Sequence, residues 1–234
     1  MSEAFATRSN VAALIPAYRE ENHIFEVARR ALAQLDHVVI LNDGSPDATA
    51  AKAREAGAEV ISHEVNRGKG AAIKTGLKAL TERGFQYIQI LDGDGQHLPE
   101  EIPRFLEEAN RSQSHIILGN RMTDTEKMPF VRKMTNRFMS WQISYVCRQP
   151  IPDSQCGFRM IHRDLAPSLF CETDAFDYET EMLLIAARAG FKIAAVPVST
   201  VYGEEKSKIR PVRDTIRFYK LMARYRIASS PPAI

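Results

Sequence analysis

Two carboxylates stand one residue apart at the end of an apolar run in the middle of the chain. The run covers residues 88–91 and is followed by Asp92, Asp94 and Gln96, with glycines between them. Carboxylate and amide oxygens suit Mg²⁺ or Mn²⁺, which binds one or two carboxylates and takes further ligands from water and substrate phosphates. The pattern therefore indicates a site for a metal and a phosphate, although Asp-Gly pairs also occur in ordinary tight turns.

The elements that must position this motif alternate between strand and helix patterns. Apolar runs typical of strands cover residues 11–15, 37–41, 59–62, 87–91 and 115–118, and a last strand ends at residues 196–198. Helical spacing covers residues 19–35, 45–57, 71–81 and 99–109, with Ser45 as the capping hydroxyl of the second helix and Pro46 at its first position. This alternation predicts an α/β fold, with a mostly parallel sheet and helices on both faces, in a single domain.

Polar motifs follow each of the first four strands, and ligands bind beyond the carboxyl ends of strands in such sheets. The motifs are residues 16–18, 42–45, 66–70 and 92–96, so we expect one shared crevice. Lys69 lies between two glycines, but its segment lacks the third glycine of a dinucleotide-binding loop. It also lacks the Ser or Thr that follows the lysine of a P-loop. A dinucleotide oxidoreductase and a P-loop ATPase are therefore disfavoured.

Composition sets the broad class. The chain has 234 residues, 44% of them hydrophobic, which is enough for one sizeable core. No apolar run reaches the roughly 18 residues of a membrane span, and the first ten residues are too polar for a signal peptide, so we expect a cytoplasmic protein. Cys147, Cys156 and Cys171 lack the spacing of a zinc site, and we interpret them as reduced thiols without a catalytic role.

In motif order, the chain is similar to a known enzyme family. Its first half resembles an inverting family 2 glycosyltransferase with a GT-A fold. Residues 11–208 together resemble the dolichyl-phosphate mannosyltransferase-like, or polyprenyl-phosphate glycosyltransferase, branch. The resemblance implies a GT-A catalytic domain over residues 1–208, followed by a basic amphipathic helix and tail over residues 209–234. It also implies transfer of a sugar from a UDP- or GDP-sugar to dolichyl or undecaprenyl phosphate.

The resemblance also implies a donor site. The residues that would hold the nucleoside are Pro16, Tyr18, Glu20, Leu41 and Asp43. The residues that would meet ribose, diphosphate and metal are Asp92, Gly93 and Asp94, with Asp94 and Gln96 as the main metal ligands. The remaining predicted donor contacts are Lys69, Arg121, Lys206 and Lys208. The chain departs from the family pattern at Asn42, where an acid is more common, and at Tyr202, near an expected arginine.

The acceptor side is implied by the second half of the chain. Arg121 corresponds to an arginine that touches the donor or acceptor phosphate, and Arg132 with Asn136 to residues that bind the lipid phosphate. With Asp94, these two arginines are the predicted catalytic residues, and arginine suits bidentate phosphate recognition. Asp153 and Glu181 belong to motifs that lie near the acceptor in relatives. Taken alone, Asp153 is also consistent with an ordinary turn cap, and Glu181 with an ordinary acid in the first turn of a helix.

The predicted mechanism needs no strong base. A polyprenyl monophosphate is largely ionised at neutral pH, since its second pKa is about 6. His97, beside the metal motif, is as consistent with a structural as with a catalytic role. A transferase that acts on a hydroxyl acceptor would need a carboxylate base, for which Asp153, Glu179 and Glu181 are available. A non-catalytic nucleotide-binding subunit is the third alternative.

Two amphipathic segments bear on membrane association. Aromatic and Met residues recur at near-helical spacing in Phe130, Met134, Phe138, Trp141 and Tyr145. Such a stripe is more often a core face, but its place beside Arg132 also fits a lipid groove. In the tail, Pro211 can open a helix, and a basic stripe follows in Arg213, Arg217, Lys220 and Arg224. This helix either packs on the core or anchors the enzyme at an anionic membrane surface.

The expected partners are therefore a nucleotide sugar, a polyprenyl phosphate, and a membrane surface or a membrane-anchored subunit, and not nucleic acid. We expect the protein to be peripherally associated with the membrane, with Mg²⁺ or Mn²⁺ as cofactor.

Overall fold

The computed structural model describes residues 5–126, 128–169, 178–201 and 218–225. Seven strands form one sheet in the order β3-β2-β1-β4-β6-β5-β7. Their bounds are Val11–Ala17 (β1), His37–Asn42 (β2), Glu59–Ser62 (β3), Tyr87–Ile90 (β4), Ile116–Asn120 (β5), Arg159–His162 (β6) and Ile193–Pro197 (β7). The predicted strands thus form, with ends shifted by up to two residues.

The helices cover both faces of the sheet, as predicted. Their bounds are Ile24–Leu32 (α1), Thr49–Glu55 (α2), Lys69–Glu82 (α3), Ile102–Ser112 (α4), Phe130–Cys147 (α5) and Tyr178–Arg188 (α6). Short 3-10 turns precede α4 and follow β5. Successive side chains of β1 point to opposite faces. Ala12 and Leu14 join a core cluster with α3, α5 and α6, whereas Ala13 and Ile15 join a cluster with α1 and α4.

The sheet is mixed because it contains an antiparallel strand, β6, that was not predicted. This four-residue strand lies between β4 and β5 and runs antiparallel to both, while the other neighbouring pairs are parallel. Arg159 at its start pairs with Ile90 at the end of β4. The segment that precedes β6 therefore emerges beside the residues that follow β4. This antiparallel strand brings the 153–158 motif to the metal motif.

The start of α2 differs from the prediction. Ser45 does not cap this helix, which begins at Thr49. The Ser45 N–H donates to Asn42 Oδ1 at 3.2 Å, and Gly44 between them has φ +66°. A side chain at Gly44 would clash, since an added Cβ would lie 2.4 Å from the carbonyl carbon of Val65. Residues 42–45 therefore form a tight turn, which delays the helix.

Helix α5 buries a different face from the one that the favoured prediction placed in the core. Its buried residues are Asn136, Ser140, Ile143 and Cys147. The predicted core stripe is exposed instead: Phe130 is 75%, Trp141 65% and Tyr145 72% accessible, and Met134 and Phe138 are about half accessible. Hydrogen bonds fix this orientation, because Ser140 Oγ accepts from the Ser154 N–H at 2.9 Å and Ser144 Oγ from the Ile151 N–H at 2.9 Å.

The described part of the tail is helical over residues 218–225 and packs on the core. Phe218, Leu221 and Met222 are buried in the cluster that includes α5 and α6. The Tyr225 hydroxyl donates to Glu181 Oε1 at 3.1 Å. Tyr219 and Lys220 are exposed, as is Arg224. Packing on the core is thus confirmed for one flank of the helix. Pro211, Arg213, Arg217 and the predicted boundary at residue 208 lie outside the described residues.

Two further predictions concern cysteines and membrane spans. Cys147 and Cys156 are free and buried, and burial raises the pKa of each thiol to about 12. Thiols that stay protonated at neutral pH are poor nucleophiles, which agrees with the absence of a catalytic role. Cys171 lies outside the described residues. Over residues 5–126, 128–169, 178–201 and 218–225, no helix has the length and apolar character needed to cross a membrane.

Candidate functional site

The ends of three parallel strands lie side by side where the crevice was predicted. β1 pairs with β2 on one side and with β4 on the other, both in parallel. The residues after these strands therefore meet at one edge of the sheet. Gly93 shows how closely they approach, because an added Cβ there would lie 3.4 Å from Ala17 Cβ and 3.5 Å from the Pro16 carbonyl oxygen.

Lys69 lies between two carboxylates at the centre of this edge. Its Nζ is 2.6 Å from Asp92 Oδ1 and 2.6 Å from Glu179 Oε1. Burial alone would lower the pKa of Lys69, but the two carboxylates outweigh it and raise this pKa above its usual value. Burial alone would raise the pKa of Asp92, but Lys69 and His97 hold it well below its usual range. Lys69 and Asp92 are therefore both charged at neutral pH.

His97 and Gly157 fix the other side of Asp92. His97 is buried, its Nε2 lies 3.5 Å from Asp92 Oδ2, and its ring packs against Phe158 with centroids 5.2 Å apart. An added Cβ on Gly157 would lie only 2.6 Å from Asp92 Oδ2. A side chain at position 157 would therefore push Asp92 away. This geometry favours a positioning role for His97, which the sequence left open.

Asp94 and Gln96 provide oxygen donors in the same loop. Asp94 Oδ1 accepts from the Gln96 N–H at 3.0 Å, and the Gln96 carbonyl accepts from the Val201 N–H at 3.0 Å. The described residues contain no cluster of three His, Cys, Asp or Glu side chains able to hold a metal. A site with one carboxylate and one amide oxygen fits a cation that takes its remaining ligands from water and phosphate. Lys206 and Lys208 lie beyond Val201, outside the described residues.

Asp43 organises the loop that leads to Lys69. Its Oδ1 accepts from the Arg67 N–H at 2.9 Å and its Oδ2 from the Gly68 N–H at 2.8 Å. His63 Nδ1 lies 2.7 Å from Asp43 Oδ1, and His63 Nε2 lies 3.0 Å from the Thr75 hydroxyl. Asp43 is thus engaged by protein groups, and it holds the start of α3 in place. No pattern in the sequence indicated His63.

The other predicted nucleoside residues surround the end of β1. Pro16 pairs with Leu41, and the Leu41 side chain is buried in the core. Tyr18 is half-buried, and the Glu20 N–H donates to the Thr49 hydroxyl at 2.9 Å. Pro16 and Leu41 thus lie side by side in β1 and β2, Glu20 contacts the start of α2, and the contact of these residues with a nucleoside stays a prediction.

Three residues predicted to bind phosphate or acceptor bind one another. Arg121 Nε and Nη2 donate to the two Asp153 oxygens at 2.7 and 2.9 Å, and Asn136 Nδ2 donates to Asp153 Oδ1 at 3.0 Å. Asp153 is 0% exposed and Arg121 6%. Burial alone would raise the pKa of Asp153, but Arg121 lowers it below its usual value. Arg132, by contrast, is exposed on α5. The roles of these residues toward phosphate stay predictions.

Arg159 is a buried brace whose role the sequence did not reveal. Its Nε donates to the Cys156 carbonyl at 2.7 Å, its Nη1 to the Glu179 carbonyl at 2.5 Å and its Nη2 to the Ser154 carbonyl at 2.8 Å. It therefore ties the segment before β6 to the start of α6. Because Glu179 is held at this point, its carboxylate can face Lys69.

Solved structures share this fold. Glucosyl-3-phosphoglycerate synthase from Mycobacterium tuberculosis, in complex with Mn²⁺, UDP and glucosyl-3-phosphoglycerate, matches with a TM-score of 0.68 at 18% identity. The match covers 93% of this chain and 78% of that one. A complex of the same enzyme with Mg²⁺ and UDP matches with a TM-score of 0.65. The chain thus has the predicted GT-A fold.

Sequence relatives agree with this fold. UDP-N-acetylglucosamine–dolichyl-phosphate N-acetylglucosaminyltransferase of Methanococcus voltae is 30% identical over 82% of this chain and 85% of the relative. Undecaprenyl-phosphate mannosyltransferase of Micrococcus luteus is 28% identical over 83% of this chain and 84% of the relative. The model of the family described as glycosyl transferase family 2 matches residues 12–170. On this evidence, the chain belongs to glycosyl transferase family 2.

Proposed function

We propose that this glycosyltransferase moves a sugar, with inversion, from a UDP- or GDP-sugar to a polyprenyl phosphate at a membrane surface. The relatives named above act on dolichyl and undecaprenyl phosphates, which supports the acceptor class. One structural observation carries the proposal: residues 153–157 contact both the loop of residues 92–96 and helix α5. Gly157 lies against Asp92, while Asp153 and Ser154 hydrogen-bond to Asn136 and Ser140 of α5. The loop of residues 92–96 and helix α5 are thus joined through one short segment.

The donor side is suited to a nucleoside diphosphate. Asp94 and Gln96 would hold Mg²⁺ or Mn²⁺, which supplies Lewis-acid stabilisation of the charge on the leaving diphosphate. Lys69 adds an ammonium group at the same edge, where it is paired with Asp92 and Glu179. Asp43 and the amides of Arg67 and Gly68 fix that lysine in advance of binding. A charge that is fixed in advance stabilises the leaving group without reorganisation during the reaction.

The acceptor side favours a phosphate over a hydroxyl. The three carboxylates that could serve as a base are all engaged by other groups: Asp153 by Arg121, Glu179 by Lys69, and Glu181 by the Tyr225 hydroxyl. A hydroxyl acceptor needs one of them to take its proton. A phosphate acceptor is already an anion at neutral pH, because its second pKa is about 6.

The outer face of α5 supports contact with a membrane surface. The exposed stripe contains Phe138, Trp141 and Tyr145, and the exposed basic residues Arg132 and Arg137 lie on the same helix. Aromatic residues with flanking arginines are typical of helices that lie in the membrane interface. An 18-residue helix extends about 27 Å, which is long enough to lie along the surface over several turns.

A transfer assay tests the proposed acceptor. The purified chain is incubated with labelled UDP- and GDP-sugars, Mn²⁺ or Mg²⁺, and either polyprenyl phosphate or the corresponding polyprenol. We expect label in the lipid fraction with polyprenyl phosphate only, because the polyprenol lacks the anionic nucleophile. Equal labelling of polyprenol would support the hydroxyl-acceptor alternative, and labelling of neither would contradict the proposal.

A further inference from the structure

A cavity of about 480 Å³ lies along one flank of α5. It is bounded by α5, by the end of β5 with the turn that follows, and by residues 151–152. Among the described residues, none of those assigned above to donor or acceptor lines it. The cavity thus adjoins predicted acceptor residues without including them, because Met122, which lines it, contacts Asn136.

The cavity is positively charged at one end. Lys133 and Arg137 line it and lie one helical turn apart on α5. Lys133 Nζ lies 2.6 Å from the Thr125 hydroxyl, which also lines the cavity, so the ammonium is directed to this end. Within the described part of the chain, the lining includes no carboxylate. Two cations without a neutralising acid favour an anionic ligand, and a phosphate group can accept hydrogen bonds from both.

Helix geometry separates these cations from Arg132. Successive helical residues are about 100° apart around the axis. With the buried Asn136 as the inward reference, Lys133 and Arg137 lie on one side of the helix and Arg132 lies on the other. The cavity therefore does not include the arginine that the family resemblance places at the lipid phosphate.

Further along α5, the lining contains apolar residues next to the Ser140 and Ser144 hydroxyls. Trp141, Ile151 and Pro152 line it, and Trp141 also belongs to the exposed stripe of α5. The cavity thus opens at the border of the helix face that we place on the membrane. A ligand that fits both ends carries a phosphate next to an apolar part, as a phospholipid headgroup does.

We propose that this cavity binds the phosphate of an anionic phospholipid, with Lys133 and Arg137 at the phosphate and Trp141 beside the glycerol backbone. The inference rests on the membrane location in the proposed function. Inorganic phosphate shares the charged group but lacks the apolar part. It should therefore bind much more weakly than the lipid.

The chain offers a direct probe, because Trp141 is its only tryptophan. Its emission is recorded while dihexanoyl phosphatidylglycerol is added below the micelle-forming concentration. We expect a saturable shift of the emission. Dihexanoyl phosphatidylcholine, whose headgroup has no net charge, and inorganic phosphate should each bind at least about tenfold more weakly. No saturable shift with phosphatidylglycerol, or an equal response to phosphatidylcholine, would overturn the proposal.

Two double variants separate the cavity from general charge. Lys133→Gln with Arg137→Gln should weaken phosphatidylglycerol binding by at least about tenfold, because two charge-assisted contacts are lost. Arg54→Gln with Lys78→Gln removes the same charge from exposed positions of α2 and α3, and should bind like the unaltered chain. Circular dichroism confirms that both variants are folded. Equal binding by the two variants would refute the assignment of Lys133 and Arg137.

A third titration identifies the source of the phosphate. A short-chain polyprenyl phosphate should not displace phosphatidylglycerol at concentrations that saturate sugar transfer, and displacement would make the cavity part of the acceptor site instead. The emission is measured without donor sugar, so failure of the lipid site would leave the transfer assay unaffected. Conversely, a chain that transfers no sugar could still show the emission shift.

Discussion

The strand-end loops and helix α5 position polar groups in opposite ways. At the strand ends, apolar residues are buried and the polar residues that follow them lie at one edge of the sheet, with Lys69 held between Asp92 and Glu179. On α5 the polar residues face inward, where Asn136 contacts Asp153, and the aromatic residues face outward. The first arrangement suits a charged, water-soluble donor. The second suits an acceptor that is delivered by a membrane.

The comparison also shows where charge is available to a ligand. Asp94 lies in the loop of residues 92–96 and accepts from the Gln96 N–H. Lys69 begins α3, directly after Gly68, whose N–H donates to Asp43. Near α5, the Arg121 and Asp153 charges neutralise each other in the interior. Lys69 and Asp92 are also paired, but their side chains are about a quarter accessible, whereas Arg121 and Asp153 are almost fully buried. The predicted donor side therefore keeps charge within reach of a ligand, and the interior pair fixes α5.

The largest effect is expected at the metal motif. Asp94→Ala should lower sugar transfer by at least about 100-fold and remove metal-dependent donor binding, because the loop loses its predicted metal carboxylate. Calorimetry with UDP and GDP, with and without Mn²⁺, measures the binding. The control is Asp164→Ala, which removes a carboxylate that is 62% exposed. Metal-dependent binding that persists in Asp94→Ala would remove this residue from the metal site.

The second effect concerns the interior pair near α5. Asp153→Ala should lower the free energy of unfolding by about 3–5 kcal/mol, because Arg121 is left buried without its carboxylate. Denaturant unfolding measures the change, and Asp164→Ala should stay within about 0.5 kcal/mol of the unaltered chain. If Asp153→Ala is equally stable but no longer transfers sugar, Asp153 acts on substrate rather than on the fold.

The third effect tests the outward face of α5. Phe130→Ser with Phe138→Ser should leave the free energy of unfolding within about 0.5 kcal/mol, because both rings are exposed. Binding to phospholipid vesicles should fall by at least about tenfold, since two apolar side chains no longer enter the interface. Phe105→Ala is the contrasting variant: its ring is fully buried and its loss should cost about 3–5 kcal/mol. A large loss of stability in the α5 variant would show that these rings are buried in a core, which contradicts their exposure.

The sequence predicted the strand-end side well for a physical reason. Buried parallel strands are continuous apolar runs, and the polar residues after them must meet at one edge, so Asp43 and Asp92 could be placed together. The contact between Lys69 and Glu179 was not predictable, because Glu179 is positioned by a hydrogen bond from Arg159 to its carbonyl. β6 was missed because Arg159, its first residue, ends the motif that begins at Asp153, and that motif was interpreted for its chemistry rather than as the approach to a strand.

For α5, helical spacing predicts that one face differs from the other but not which face is buried. The answer depends on hydrogen bonds from Ser140 and Ser144 to a loop whose position the sequence does not give. The aromatic stripe was therefore assigned to the core by frequency alone. The same limit applies to the tail, where burial of Phe218 and Leu221 settled one flank only.

The division between donor and acceptor sides is the central claim, and steady-state kinetics of Arg132→Ala tests it most directly. Initial rates are measured while the donor sugar and the polyprenyl phosphate are varied in turn, with Arg54→Ala as the exposed control. The account predicts that KM for polyprenyl phosphate rises by about tenfold while KM for the donor is unchanged, because a guanidinium that pairs with the lipid phosphate is lost. An equal rise in both KM values, or a rise for the donor alone, would contradict it.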